Sequence, residues 1–239
     1  MKIAVVCCMH GNEPYGLEVV KRLPASIPCF IANKDALKEN RRYLDVDLNR
    51  CFPGDENGNR EERIANDLKL KLKDFDYVID LHSTSNDCSI FGIITNPGRE
   101  KIEFARRLGL KKLVVMGGGF GNGKALIDHV KCGISLEVGK HLRAENVEDA
   151  CNLIMNFLGD KNKNSEIEIY EVTKKLRKNA ENILIKNFEN VKKGQLITFD
   201  DNNKQYAEED FTAVLVNEEA YEGVLCLMAR KIKFINGYH

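Results

Sequence analysis

Short apolar runs alternate with amphipathic stretches along the first two thirds of the 239-residue chain. Continuous apolar runs are typical of strands buried on both faces of a parallel sheet. Residues 3–9 form such a run, and shorter, mainly apolar segments predict further strands at residues 28–32, 77–82, 89–95, 112–116 and 133–138. Helical spacing of apolar residues and first-turn signals predict helices at residues 13–22, 62–75, 99–108 and 145–158. The alternation predicts an α/β fold, in which helices cover both faces of a mainly parallel (mixed) sheet.

The pattern changes after a polar run at residues 159–164, which is typical of a linker. Beyond it, short alternating stretches predict strands at residues 166–173, 182–185, 195–199, 212–216 and 225–232. We therefore expect two domains. Residues 1–159 would form the larger α/β domain, and residues 165–239 would form a small, mainly antiparallel β-rich domain.

Composition excludes several classes of function. Lysine plus arginine equal aspartate plus glutamate at 36 each, so a nucleic-acid-coating role is not expected. No apolar run approaches the length of a membrane span, so no membrane partner is expected. The first residues lead directly into a predicted strand and show no signal-peptide cleavage site. The eight cysteines form no C-x-x-C pair, and we expect them to be reduced thiols in a cytoplasmic protein.

Polar groups follow three of the predicted strands. His10 and Glu13 follow the first strand, His82 ends the strand at 77–82, and Glu137 lies near the end of 133–138. Chemistry in open α/β sheets occurs beyond the carboxyl ends of the strands. Two histidines and a carboxylate are ordinary ligands of a catalytic zinc ion. The alternative is a set of unrelated loop hydrogen bonds. His129 and His141 do not follow strands in this way, and we expect structural or solvent-exposed roles for them.

Residues 34–62 form a long polar stretch, and long ordered loops are usually functional. Within it, Arg41-Arg42-Tyr43-Leu44-Asp45-Val46-Asp47-Leu48-Asn49-Arg50 concentrates charge of both signs. One interpretation is a solvated charged loop. The other is a recognition loop, because guanidinium groups bind carboxylates through paired hydrogen bonds.

The chain contains four motifs in this order: H-G-N-E-P at 10–14, R-Y-L-D-V-D-L-N-R at 42–50, D-L-H-S-T at 80–84 and S-L-E-V-G at 135–139. In order and separation they resemble the aspartoacylase and succinylglutamate desuccinylase family, whose members are zinc amidohydrolases related to the zinc carboxypeptidases. A fainter similarity, V-N-E-E-A-Y at 216–221, lies in the second domain. The resemblance implies a zinc-carboxypeptidase-like fold, with the small domain capping the active-site cleft.

The resemblance also implies roles for the matching residues. His10, Glu13 and His82 would bind one Zn²⁺ per chain. Glu137 would act as the general base that takes a proton from zinc-bound water. Arg42 would polarise the scissile carbonyl and support the oxyanion.

Substrate contacts are implied in the same way. Asn49 and Arg50 would hold the α-carboxylate of the substrate, Asp47 would support their loop, and Tyr221 would reach into the pocket from the second domain. Asp80 is expected to alternate away from His82 on its strand, so we predict a structural role for it.

The expected reaction is hydrolysis of the amide bond of an N-acyl amino acid, similar to N-acetylaspartate, to an amino acid and a carboxylate. The alternatives are a succinylglutamate desuccinylase-type deacylase, a zinc carboxypeptidase acting on short peptides, and an inactive binding protein that keeps the fold. The resemblance also allows a homodimer. The glycine-rich segment at 117–123 is either a mobile rim or a simple turn. It lacks the P-loop signature, because Ala125 follows Lys124.

Overall fold

The computed structural model describes residues 1–117, 120, 123–140, 144–161 and 166–233. The helices within these ranges are α1 (Tyr15–Arg22), α2 (Lys34–Lys38), α3 (Arg60–Leu72), α4 (Arg99–Leu108) and α5 (Ala144–Leu158). The strands of the first part are β1 (Ile3–Cys7), β2 (Cys29–Ile31), β3 (Tyr77–Thr84), β4 (Phe91–Ile94), β5 (Lys112–Val115) and β6 (Gly133–Lys140). Those of the second part are β7 (Glu168–Arg177), β8 (Asn182–Ile183), β9 (Asn190–Val191), β10 (Leu196–Phe199), β11 (Lys204–Tyr206), β12 (Phe211–Val214) and β13 (Val224–Ile232).

A large mixed sheet has the strand order β2-β1-β3-β6-β4-β5-β7-β13-β12-β9. The strands from β2 through β7 pair in parallel, except that β4 runs antiparallel to β6. The remaining pairs of this sheet, β7 with β13, β13 with β12 and β12 with β9, are antiparallel. The prediction of a mainly parallel, mixed α/β sheet is confirmed.

Strand β1 shows how the sheet separates two layers of helices. Val5 packs in the apolar cluster that contains buried residues of α1, α4 and α5. Its neighbours Ala4 and Val6 pack in the cluster that contains buried residues of α3. Successive side chains of a strand point to opposite faces, so a strand that is apolar at every position is buried on both sides. The predicted covering of both faces by helices is therefore confirmed.

The start of α3 shows why the polar stretch before it ends there. The side chain of Asn59 accepts a hydrogen bond from the backbone N–H of Glu62, and the Glu62 carboxylate accepts one from the backbone N–H of Asn59. This capping box satisfies two donors that the first turn of a helix leaves free. It starts α3 two residues earlier than the sequence predicts.

The strands after residue 166 continue the large sheet. Strand β7 pairs in parallel with β5, with Leu113 opposite Ile169, and β13 and β12 follow it. A separate three-stranded sheet has the order β11-β10-β8 and is antiparallel. The division into domains at residues 159 and 165 stays a prediction about folding units. Residues 162–164 of the predicted linker lie outside the described residues.

Two details differ from the sequence-based prediction. Helix α2 and a single 3-10 turn at Leu48–Arg50 lie inside the stretch 34–62, in which no regular structure is expected. Strands β9 and β11 are also additional, and they have only two and three residues. Within the described ranges, no helix has both the length and the apolar character needed to cross a membrane.

Candidate metal centre and active site

The turn after β1 brings His10 and Glu13 to the carboxyl edge of the sheet. Cys8 has a φ of 53°, a left-handed conformation that turns the chain directly after the strand. A Cβ on Gly11 would lie 2.1 Å from the carbonyl carbon of Ala36 and 2.4 Å from the carbonyl oxygen of Arg41. Only glycine therefore fits where the turn packs against the segment that leads to Arg42. The backbone N–H of Gly11 donates to the Arg42 carbonyl at 3.2 Å.

His82 lies near the end of β3, and Asp80 supports it. Nε2 of His82 lies 2.8 Å from Oδ2 of Asp80, a fully buried carboxylate. The prediction that Asp80 points away from His82 is wrong, because residues two apart on a strand lie on the same face. The hydroxyl of Tyr15 on α1 donates to the His82 carbonyl at 2.8 Å and fixes the backbone at this point.

The two histidines and Glu13 converge on one point. One ligand atom from each of the three residues lies within 4.8 Å of the others. The two imidazole centroids are 5.0 Å apart. Nδ1 of His10 lies 2.7 Å from Oε1 of Glu13, and Nδ1 of His82 lies 3.4 Å from Oε2 of the same carboxylate. In the part of the chain that the structure describes, this is the one group of three such side chains that could hold a metal ion.

The outer nitrogens of both rings face carboxylates. Nε2 of His10 lies 3.1 Å from Oδ1 of Asp47, which matches the contact between His82 and Asp80. When Nε2–H donates to a carboxylate, Nδ1 of the neutral ring carries the lone pair that a metal requires. Two imidazoles and one carboxylate are a common donor set of catalytic zinc. The residues therefore fit a single divalent cation bound by His10, Glu13 and His82.

Charge coupling inside this buried cluster is strong. Burial would raise the pKa of Glu13, but the charges and hydrogen bonds of His10 and His82 hold it well below its usual value. Burial would lower the pKa of His82, but Asp80 and Glu13 raise it well above its usual value. Three carboxylates, those of Glu13, Asp47 and Asp80, contact the two imidazoles, so a bound cation would balance negative charge that neutral rings leave uncompensated.

The loop at residues 41–50 places Arg42 beside this cluster. Asp47 accepts hydrogen bonds from Nε of Arg42 at 3.2 Å and Nη2 at 2.9 Å. Nη1 of Arg42 lies 3.6 Å from Oε1 of Glu13. The other oxygen of Asp47 caps the 3-10 turn by accepting from the backbone N–H of Asn49 at 2.9 Å. Asp47 thus orients His10, Arg42 and the turn that carries Asn49.

A buried acid outside the recognised motifs holds this loop in place. Glu61, in the first turn of α3, is 0% exposed. Its carboxylate accepts from the backbone N–H groups of Leu44 at 2.8 Å, Asp45 at 3.1 Å and Val46 at 3.4 Å, and from the side-chain amide of Asn33 at 3.1 Å. Sequence reasoning did not single out Glu61, because a charged residue in a first turn usually faces solvent.

A cavity of about 270 Å³ opens at the cluster. The predicted residues His10, Glu13, Arg42, Asn49, Arg50, His82, Glu137 and Tyr221 all line it. Asp47 stands behind this lining and contacts it through Arg42 and His10. Removal from water raises the pKa of Glu137 to about 8, and Glu13, Glu218 and Asp80 act in the same direction against His82. Burial also raises the pKa of Tyr221, which borders Arg50.

The segment at residues 216–221 reaches the cavity through contacts with the end of β3. Oε2 of Glu218 accepts from the backbone N–H of Ser85 at 2.8 Å, and the Asn86 amide donates to the Val216 and Asn217 carbonyls at 2.9 Å each. Glu218 is 8% exposed and lines the cavity. Sequence reasoning noticed the V-N-E-E-A-Y motif but singled out Tyr221 alone.

Some of the other residues that the sequence analysis singled out lie outside the described ranges. His129 lies away from the ligand cluster, where its Nε2 lies 2.8 Å from the Gly123 carbonyl and its ring stacks on Phe52. His141 and positions 118, 119, 121 and 122 of the glycine-rich segment are not among the described residues. All eight cysteines are free thiols.

Comparison with known proteins agrees with this geometry. The family profile of the succinylglutamate desuccinylase/aspartoacylase catalytic domain matches residues 1–158. A protein named probable aspartoacylase from Acaryochloris marina (strain MBIC 11017) is 33% identical over 114 residues. An N-acyl-aromatic-L-amino acid amidohydrolase (carboxylate-forming) from Danio rerio is 29% identical over 113 residues. The matches cover 40% and 37% of this chain and 39% and 36% of those two proteins, so they span less than half of each relative.

Solved structures share the fold over nearly the whole chain. Murine aminoacylase 3 superposes with a TM-score of 0.82 at 21% identity, covering 97% of this chain and 95% of that one. A succinylglutamatedesuccinylase/aspartoacylase from Rhodobacter sphaeroides superposes with a TM-score of 0.75 at 15% identity, covering 98% of this chain and 86% of that one. With the profile match over residues 1–158, the motifs at the carboxyl edge of the sheet show that this chain belongs to the succinylglutamate desuccinylase/aspartoacylase family.

Proposed function

We propose that this protein hydrolyses the amide bond of an N-acyl amino acid, using one zinc ion held by His10, Glu13 and His82. The observation that carries the proposal is the convergence of these three ligands, from two distant segments, beside Glu137 and Arg42 in one cavity. A bound zinc ion would supply a Lewis acid and lower the pKa of water to about 7. All other parts of the reaction fall to residues of this chain.

Glu137 is proposed as the general base and acid. Efficient proton transfer needs a group whose pKa lies near the working pH. Burial raises the pKa of Glu137 to about 8 in the absence of a cation, and the positive charge of a bound metal ion would lower this pKa towards the working pH. Glu137 would take one proton from the attacking water and deliver it to the leaving amine nitrogen. The water oxygen would bond to the acyl carbon as its proton leaves, which gives a tetrahedral oxyanion, and the C–N bond would break as the nitrogen accepts that proton.

The arginines supply the charge that the substrate and its transition state need. Arg42 lies next to Glu13 and would stabilise the oxyanion that develops on the scissile carbonyl. Asn49 and Arg50 would bind the α-carboxylate. Nη1 of Arg50 donates to the Asn49 carbonyl at 2.8 Å, which holds the guanidinium beside the Asn49 side chain. Tyr221 would close this side of the pocket next to Arg50.

The size of the cavity supports a small substrate. About 270 Å³ accommodates a compact N-acyl amino acid rather than an extended peptide. The segment 218–221 borders the cavity and would exclude longer chains, as expected for a capping C-terminal region. The sequence predicts a substrate similar to N-acetylaspartate but does not name the preferred amino acid.

The test compares wild type with Glu137→Gln, both loaded with zinc, by the release of carboxylate from a panel of N-acyl amino acids. We expect the variant to keep one zinc ion per chain and to lose at least about 100-fold in kcat, because general-base catalysis contributes that much. Glu148→Gln, which alters an exposed carboxyl on α5, serves as the control and should keep full activity. Unchanged turnover by Glu137→Gln would overturn the assignment of the base.

A further inference from the structure

The cavity has two unlike walls. One wall is charged and contains the ligand cluster, Glu137 and the two arginines. The other lining residues include Ile93, Met116, Phe120, Ile127 and Leu215, which we call the apolar wall; all but Ile127 pack in one apolar cluster, and the hydroxyl residues Thr95 and Ser135 lie beside Ile93. The reaction proposed above uses only the charged wall, so the apolar wall needs a separate explanation.

The apolar wall lies between the carboxylate-binding residues and the proposed base. Oδ1 of Asn49 accepts from the backbone N–H of Leu126 at 2.9 Å, which puts Ile127 one residue from the Asn49 side chain. Ile93 pairs with Ser135, two residues before Glu137 on β6. Met116 continues the wall from the next strand, because its backbone N–H donates to the Ile94 carbonyl at 2.8 Å.

Substrate chemistry places the amino-acid side chain in the same region. The α-carboxylate, the side chain and the nitrogen of the scissile amide are all bonded to one carbon. With the carboxylate at Asn49 and Arg50 and the amide at Glu137, the side chain must start between these two points. Ile127 and Ile93 flank that interval, so the side chain would extend along the apolar wall.

The charged residues in the described part of the cavity lining leave no cation free for a second carboxylate of the substrate. Among the lining residues that the structure describes, the cationic side chains are Arg42 and Arg50. Arg42 is already paired with Asp47 at 2.9 Å and lies 3.6 Å from Glu13. Arg50 is required for the α-carboxylate. A carboxylate in the substrate side chain would therefore be buried without a counter-ion, which is costly.

Behind the apolar wall lie two opposite charges, Asp128 and Lys101, which interact electrostatically. The hydroxyl of Thr95, another lining residue, donates to the carboxylate of Asp128, next to Ile127. Asp128 also accepts from the backbone N–H of Ala125 at 3.1 Å. Lys101 reaches the Thr95 carbonyl at 3.3 Å but does not line the cavity. Asp128 does not line the cavity either, so neither of these charges is placed to bind the side chain of a substrate.

We infer that the amino acid released by this protein carries an apolar side chain, aliphatic or aromatic, which packs on Ile93, Met116 and Ile127. The inference rests on the proposed function and differs from the N-acetylaspartate-like substrate that the sequence suggests. It makes the apolar wall the specificity determinant of the site.

The first test measures kcat/KM of the zinc-loaded wild type on the N-acetyl derivatives of L-leucine, L-phenylalanine, L-asparagine and L-aspartate. We expect the better of the two apolar substrates to exceed the aspartate derivative by at least about 100-fold, because the acidic side chain would be desolvated without a partner. Asparagine has the shape of aspartate without its charge, and we expect it to fall between them.

The possible outcomes distinguish a wrong side-chain preference from a wrong reaction. Hydrolysis with equal or greater preference for the aspartate derivative would overturn the inference and leave the proposed function standing. No hydrolysis of any N-acyl amino acid would overturn the proposed function, and the inference with it.

A second test inserts a cation into the apolar wall. Met116→Lys exchanges one unbranched side chain for another of similar length, and we expect it to shift the ratio of kcat/KM for aspartate over leucine derivatives upward by at least about tenfold. Met116→Leu is the matched control, and it should retain the preference for apolar side chains. A ratio that Met116→Lys does not change, in a variant with wild-type zinc content and circular dichroism, would contradict the position given to the side chain.

Discussion

The buried carboxylate of Asp80 gives the most specific prediction about the metal centre. Asp80→Asn keeps the shape of the side chain and removes the charge that faces Nε2 of His82 at 2.8 Å. Because Asp80 is 0% exposed, water cannot replace it as the acceptor. Loss of such a supporting partner typically costs 10–100-fold in metal affinity. We therefore expect zinc to bind about 1.4–2.7 kcal/mol more weakly.

Zinc affinity of the variant is measured by competition with a chromophoric chelator at fixed pH. Asp67→Asn changes an exposed aspartate on α3 that contacts only Lys71 among the described side chains, and it serves as the control. Its affinity should equal that of the wild type. An Asp80→Asn protein that remains folded and binds zinc as tightly as the wild type would refute the role given to this carboxylate.

Three further predictions concern the frame around the site. Gly11→Ala should destabilise the fold by about 1–3 kcal/mol and displace the chain at Arg42, because its Cβ would overlap backbone atoms of Ala36. Thermal unfolding measures this, and Gly117→Ala, whose Cβ meets nothing within 4 Å, should leave stability nearly unchanged. Glu61→Gln should lower the free energy of unfolding in urea by about 2–4 kcal/mol, since the new amide donors would face backbone N–H groups, and wild-type stability would contradict the anchoring role. Removal of zinc by a chelator should lower the melting temperature, because an ion at 100 times its Kd stabilises the folded state by about 2.7 kcal/mol; an identical melting curve would show that no metal is bound.

Local patterns in the sequence account for the core of the fold. Apolar runs such as residues 3–7 and 133–138 are long enough to predict strands buried on both faces, and the structure places them in the sheet. Short strands such as Asn190–Val191 are formed by pairing with a distant strand, β12. Two residues carry too little periodicity to predict an element from sequence.

The candidate site shows the same limit. Each ligand follows a predicted strand, so the sequence could place His10, Glu13 and His82 at one edge of the sheet. Glu61 could not be predicted, because its hydrogen bonds join it to backbone groups 15 to 17 residues away. The position of Asp80 could be predicted, because residues two apart on a strand lie on the same face, which places Asp80 on the side of His82.

Local sequence patterns do not predict the contact between the second part of the chain and the site either. Glu218 meets the backbone of Ser85 across 133 positions of sequence. Only the pairing of β7 with β5 and of β13 with β7 brings these segments together. The motifs predict the charged wall of the cavity. Its apolar wall combines residues from β4, from the segment after β5, from the segment before β6 and from the segment after β12.

The most direct test of the metal centre is the zinc content of the purified protein by elemental analysis, for wild type and for a His10→Ala, His82→Ala double variant. The geometry predicts one zinc ion per wild-type chain and a near-complete loss in the double variant with the fold preserved by circular dichroism. Equal zinc content in the two proteins, or none in a wild type refolded with excess zinc, would contradict it.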